Sequence, residues 1–293
     1  MTISHEPSAP LVVVVGATGM QGGSVINALA ESDKPYRLRG LTRDTSKPAA
    51  RKLIDRGVEV VGVSISVDNA DEVHKAFEGA NIAFVCTFLL HLHPGLNFRQ
   101  TMTSFWDHTD KQKANHLNFV LKLANCYIQE IDDGILMINA AKAAKVDLLI
   151  WSGLMSVNEA SGGKYSRVDH FDGKAAVTAY GRQSGVPFVD VQAGLYASNF
   201  TNALAPRKAA DGSYELALPF GPETVIPVID MESDYGMFVR QAIESPAVGP
   251  GSEILTCGEL ISLGDMFKQL SESLLKADYA ILPNTNSRTY SHR

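Results

Sequence analysis

Seven residues near the start of the chain, Gly16-Ala-Thr-Gly19-Met-Gln-Gly22, have the types and spacing of an anion cradle. They follow the apolar run "LVVVV" and open a helix-like pattern. Gly16 suits a tight turn. Gly19, lacking a Cβ, lets a pyrophosphate approach the backbone, and Gly22 lets helix and strand pack closely. The helix N-terminus then offers N–H groups and a partial positive charge to a phosphate. Thr18, Met20 and Gln21 lie within the same turn and join the candidate binding set. The chemistry expected is dinucleotide binding; a glycine turn with no ligand is the plainer alternative. Three further residues have reactive types: Ser152 at a strand end, and His170 and Lys174 four positions apart.

The end of the second strand selects the nucleotide. An NAD site commonly places Asp or Glu there to hold the ribose 2′-hydroxyl. Here the residues read "GLTRDTSK", with Thr42 and Arg43 where the acid would stand and Lys47 beyond. A guanidinium favours a 2′-phosphate, so NADP(H) is expected over NAD(H). Asp44 comes one place late and is suited to cap the next helix. Arg43 also reads as an ordinary surface arginine.

These residues need a scaffold of strands alternating with helices. Short β-branched runs, "LVVVVG", "RLRGLTR", "VEVVGVSI" and "NIAFVCT", alternate with helical segments "SVINALAES", "PAARKLIDRG" and "NADEVHKAFEGA". Gly57 and Gly79 end two of the helices, and Asn69 or Asp71 is placed to cap the third. Later come "EIDDGILMINAAKAAK", "DLLIWSG", "DGKAAVTAYGRQSG" and "PFVDVQAG". This rhythm implies an α/β fold, a doubly wound parallel sheet of the NAD(P)-binding Rossmann kind. Thr87, closing the fourth strand, then falls at the ligand edge and joins the cofactor-binding set. From about Leu195 the pattern loosens into a smaller α+β C-terminal lobe with "DGSYELALPF", "TVIPVID", "ESDYGMFVRQAIES" and "EILTCG", expected over the carboxyl edge of the sheet. The expected organisation is a loose tail over 1–10, the Rossmann domain over 11–194, the smaller lobe interwoven with it over 195–273, and an irregular tail over 274–293.

Composition narrows the function class. The chain has 293 residues, 45% hydrophobic, with a formal net charge of -6. No basic face for nucleic acid or an anionic membrane is indicated. Cys86, Cys126 and Cys257 are odd in number and widely spaced, which reads as buried free thiols. His91, His93 and His108 lack a carboxylate or Cys at ligand spacing, so no metal is expected. Without a signal peptide or a membrane-length apolar run, the expected location is the cytoplasm or nucleus.

Several stretches carry a resemblance: "GATGMQGGSV", "LTRD", "FEGANIAFVCT", "FWDHTDKQK", "WSGL", "HFDGK", "GVPFVDVQAGLYASNF" and "DGSYELALPFG". In these the chain resembles the NmrA-like family, atypical relatives of the short-chain dehydrogenases. The resemblance implies a Rossmann fold binding NADP(H) and, in some members, redox signalling through a protein partner such as a transcription factor. It equally implies a likeness to the isoflavone-reductase-like enzymes, which reduce small aromatic substrates with NADPH and whose catalytic lysine would correspond to Lys174. A short-chain dehydrogenase places a Tyr four residues before that lysine as its acid/base. Here that position is His170, and Tyr165 and Tyr180 have the wrong spacing. His170 could take the role, since imidazole titrates near neutrality. In the plainer reading Ser152 and His170 only make hydrogen bonds while Lys174 anchors the nicotinamide ribose. Asn199 and Phe200 follow a strand and line either a ligand site or the core.

Two stretches, 89–104 and 114–129, depart from the family pattern, and both are apolar-rich and long for connections. They read either as a lid or partner-binding insertion or as retained introns. The altered end of the chain also departs and reads as a truncated C-terminal lobe. The substrate, the partner and the oligomeric state are not legible in the sequence.

Overall fold

The structure, a computed structural model, describes residues 3–87, 113–166, 168–202, 204–208, 210, 212–218, 220–275 and 279–283. Within 113–125, at 217, and over 274–275 and 279–283 it describes the backbone alone. The insert 89–104, the stretch "FWDHTDKQ" and His91, His93 and His108 lie outside the described residues.

The elements run β1 (Leu11–Val15), α1 (Met20–Ala30), β2 (Arg37–Thr42), α2 (Pro48–Asp55), β3 (Glu59–Gly62), α3 (Ala70–Phe77), β4 (Ile82–Val85), α4 (Lys113–Ala144), β5 (Leu148–Trp151), α5 (Asp169–Gln183) and β6 (Phe188–Gln192). There follow β7 (Leu195–Tyr196), β8 (Arg207–Lys208), β9 (Tyr214–Leu218), β10 (Val225–Ile229), α6 (Tyr235–Glu244), β11 (Glu253–Leu255), β12 (Glu259–Ser262), α7 (Leu263–Leu270) and β13 (Tyr279–Pro283).

The chain divides into two units. The first holds the described residues up to 87, those from 113 to 193, and Met231–Thr256. Its core is one sheet of seven strands in the order β11-β6-β5-β4-β1-β2-β3, every pair parallel. This is the doubly wound arrangement, and the strand order reverses between β1 and β4. All five residues of β1 are buried, which is why its sequence does not alternate. Val13 and Val15 pack with Val73 and Phe77 of α3, Met137 of α4 and Val177 of α5. Phe84 of β4 meets Tyr235 of α6 edge-on, with ring centroids 6.1 Å apart. Helix α6 packs on α1, where the Gly236 amide donates to Ser24 Oγ at 2.8 Å.

Several local expectations change. Residues 3–10 are not loose: Ile3 bridges Tyr36, and the Ser4 amide donates to the Tyr36 carbonyl at 2.8 Å. Asn69 precedes α3 without a side-chain cap, and Ser66 caps the preceding turn instead. The stretch 114–129 is helix, the front of the 32-residue α4. A strand, β13, stands within the tail expected to be irregular and pairs in parallel with β9. Among the described residues no helix is long and apolar enough to cross a membrane.

The second unit comprises, among the described residues, Gly194–Asp230 and those after Thr256. It has two three-stranded sheets, β12-β10-β7 and β13-β9-β8. Phe200 belongs to its core and packs edge-on against Phe267, with centroids 5.9 Å apart. Of the two alternatives for Phe200, the structure realises the core.

Two of the carboxyls folded into the first unit's interior are shifted upward. Burial, then the Asp132 and Glu130 charges, pushes Asp133 up to about 7. Burial likewise raises Asp190 to about 6, against hydrogen bonds from Gln192 and Thr178. A carboxyl whose pKa is higher folded than unfolded stabilises the protein less as pH rises from the unfolded to the folded value. Asp133→Asn removes that dependence. Relative to wild type it gains on the order of a few kcal/mol between pH 4 and pH 7, read as urea midpoints across that range.

Candidate functional site

The glycine turn stands at the carboxyl end of β1, beside the reversal of strand order where open α/β sheets form their ligand crevice. Gly16 has φ +67°, a left-handed conformation that favours glycine. Its carbonyl accepts the Gly19 amide at 2.8 Å, closing the turn. A Cβ on Gly22 would lie 2.4 Å from the Gly16 carbonyl oxygen and 2.9 Å from that of Val15. Gly22 therefore lets α1 start directly on top of its own strand. The N-cap position of α1 is Gly19, which has no side chain of its own to place there. Thr18 and Met20 are exposed on this turn, and Gln21 is half-buried.

The neighbouring strand ends meet the same edge. Thr18 Oγ1 and Thr42 Oγ1 are 3.2 Å apart and join the turn to the end of β2. Arg43 and Lys47 follow with exposed side chains. Asp44 does not cap α2; Lys47 holds that position. The Asp44 carboxylate instead accepts from the Ser46 amide at 2.9 Å and from the Ser46 hydroxyl at 2.6 Å, and these bonds hold it below the usual carboxylate range. Its acceptor oxygen is thus committed to its own loop. On the other side, the Cys86 thiol after β4 donates to the Val15 carbonyl at 3.7 Å, and burial pushes it up to about 12. At neutral pH it is therefore a thiol rather than a thiolate.

Thr87 and Lys174 are brought together by a residue that the motif analysis passed over. Glu130 of α4 is fully buried, and its Oε1 accepts from Thr87 Oγ1 at 2.7 Å and from Lys174 Nζ. Its Oε2 is buried and has no hydrogen-bond partner among the described residues. Lys174, in the second turn of α5, keeps 13% side-chain exposure. The signal for Glu130 was available: it occupies the buried stripe of α4 shared by Asp133, Gly134, Met137 and Ile138. A carboxylate in such a stripe must have a partner.

Helix α5 begins at Asp169, earlier than the sequence pattern suggests, so His170 lies in its first turn. Burial, and then the Lys174 charge, pushes His170 down to about 4, against the opposing pull of Asp172. Its imidazole is neutral at physiological pH and does not titrate near neutrality. Ser152 is buried, and its amide donates to the Val85 carbonyl at 3.0 Å, placing it beside the end of β4. No direct bond joins Ser152, His170 and Lys174 among the interactions of the described residues.

The glycine turn fits a dinucleotide phosphate: a close-packed helix start with glycine at its N-cap, and three strand ends around it. Thr87 and Ser152 stand at the neighbouring strand ends, and Lys174 is joined to Thr87 through Glu130.

The chain matches known proteins along most of its length. The NmrA-like oxidoreductase ptmS of Penicillium ochrochloron is 27% identical over 248 residues, 81% of this chain and 65% of that protein's length. The chain thus spans just under two thirds of that relative. Among solved structures, NmrA, a negative transcriptional regulator, in complex with NADP superposes with a TM-score of 0.69 at 24% identity, covering 94% of this chain and 74% of that one. The same regulator in complex with NAD gives 0.70 at 23% identity, with the same coverage. At this identity the likeness is one of fold. The model of the NmrA-like family matches residues 8–100 and 113–285, and the chain belongs to the NmrA-like family.

Proposed function

We propose that this protein binds a nicotinamide dinucleotide at Gly16–Gly22, prefers NADP(H), and reports the redox state of that cofactor to a protein partner such as a transcription factor. The observation that carries the reading is the close approach of Gly22 to the Gly16 carbonyl, which sets the start of α1 on the ligand edge of the sheet. The solved regulator of the same fold, seen with NAD and with NADP, supports a nicotinamide cofactor. Arg43 and Lys47 support the 2′-phosphate preference, because both are exposed at the end of β2 while Asp44 is turned into its own loop. Lys174 is the residue expected to reach the nicotinamide ribose. When bound, the cofactor would supply hydride chemistry.

The site favours sensing over turnover. The position four residues before Lys174 holds a histidine that is neutral at physiological pH and a weak base, with a pKa near 4. An acid/base residue works best when its pKa lies near the operating pH. Sensing then proceeds by linkage: cofactor states with different affinities for two conformations shift their populations. A reductase of small aromatic or carbonyl substrates is the second reading, favoured by the oxidoreductase name of the Penicillium relative. The proposed location is the cytoplasm or nucleus.

Calorimetric titration of the purified protein with NADPH, NADP+ and NADH is expected to show NADP(H) binding more tightly than NADH. Arg43→Ala lowers NADPH affinity about tenfold while leaving NADH affinity unchanged, because only the 2′-phosphate contact is lost. Equal losses for both cofactors would remove Arg43 from phosphate recognition. Partner capture that changes between NADPH and NADP+, with no substrate-dependent NADPH oxidation across aromatic and carbonyl panels, supports the sensor; steady turnover with any of them replaces it by the reductase.

A further inference from the structure

A buried carboxylate such as Glu130 is expensive to desolvate. It is fully buried, and among the described residues one oxygen has no partner and one ammonium, that of Lys174, faces its charge. Replacing such a pair with apolar side chains is often neutral or stabilising, so packing alone does not account for it. Its surroundings are shaped to admit it. Gly173, the residue before Lys174, faces it so closely that a Cβ there would lie 3.1 Å from Oε2 and 3.2 Å from the Tyr127 ring.

The direction of the ion pair separates two roles. A carboxylate that sequesters a lysine from a ligand would lie on its solvent side. Here the reverse holds: Glu130 has no exposure and Lys174 keeps 13%. The carboxylate sits beneath the ammonium. One oxygen, Oε1, also takes the Thr87 hydroxyl at the end of β4, so the lysine tip is referenced to the ligand edge of the sheet. An ammonium has three donors. With one given to Glu130, two are available for a ligand hydroxyl or other acceptor.

We propose that Glu130 is a positioning residue for the dinucleotide site: it supports Lys174 from the protein side, anchored by Thr87, and fixes the ammonium where the ribose hydroxyls of the cofactor are bound. This rests on the dinucleotide reading above. Glu130 does not touch the cofactor; it acts through Lys174.

The test is a double-mutant cycle with a second readout that needs no cofactor. Glu130→Gln, Lys174→Ala and the double variant are compared with wild type, folding being checked by circular dichroism and thermal melting. NADPH dissociation constants are measured by calorimetry. Acetylation of Lys174 by acetic anhydride is followed by mass spectrometry. Positioning predicts that Glu130→Gln weakens NADPH about tenfold when Lys174 is present and has no effect when it is Ala. It also predicts that Lys174 acetylates several-fold faster in Glu130→Gln, since a held amine is less accessible than a loose one. Unchanged acetylation in a folded variant overturns the support of Lys174 by Glu130. Faster acetylation with unchanged or tighter NADPH binding overturns the positioning role. Equal affinity losses in both backgrounds assign Glu130 a purely structural part and overturn it as well. If folded wild type binds none of NADPH, NADP+ and NADH, the dinucleotide reading fails and the proposal with it, while the acetylation result still reports whether the ion pair holds Lys174.

Discussion

The close approach of Gly22 to the carbonyls of Val15 and Gly16 is the constraint on which the ligand edge depends. A helix that starts directly above its own strand must have no side chain at that point. Once α1 is set there, its first turn points along the edge where β1, β2 and β4 end. Thr42, Arg43, Cys86 and Thr87 arrive at that edge because parallel strands in register finish together. The electrostatic character then follows from which polar groups are already committed. Asp44 is taken by Ser46, and the cations after β2 remain exposed. The edge thus has exposed Arg43 and Lys47 at one end and, at the other, a buried carboxylate paired with Lys174.

That second end is organised around charge burial. Glu130, Asp133 and Asp190 are all buried carboxyls in the first unit. Asp190 is raised to about 6, with hydrogen bonds from Thr178 and Gln192 to its Oδ2. Asp133 is raised to about 7 by burial and like charge. Glu130 has an ammonium as its partner. The same desolvation drives His170 to its neutral form and Cys86 to its thiol form. Burial thus sets the charge state of each of these groups: it favours the neutral forms of His170 and Cys86 and raises Asp133 and Asp190 towards neutrality.

Much of this was legible from residues alone. β1 announced itself by an unalternated valine run, because a strand covered on both faces needs no polar side. The glycine spacing announced the turn, and Gly57 and Gly79 marked helix ends through their positive φ. Arg43 could be placed because the end of β2 is a fixed offset from the turn. Other assignments depended on contacts that no local pattern encodes. Residues 3–10 look like a polar tail, yet backbone pairing with Tyr36 orders them. Asn69 and Asp44 have cap chemistry, but each spends it elsewhere, on Ser64 and Ser46. The stretch 114–129 reads as a long connection, and in the fold it continues a helix.

By itself, the sequence determined the alternation of strands and helices, the parallel sheet and the position of the glycine turn. These follow from side-chain periodicity and from the few backbone conformations that only glycine favours. Only the tertiary structure decided that Glu130 lies beneath Lys174, that Thr87 shares its oxygen, that Phe200 is core, and that His170 is neutral. The physical reason is that charge state and partner choice depend on burial and on groups distant in the chain. Thr87 and Lys174 meet through Glu130 at separations of 43 and 44 residues, beyond the reach of any local pattern.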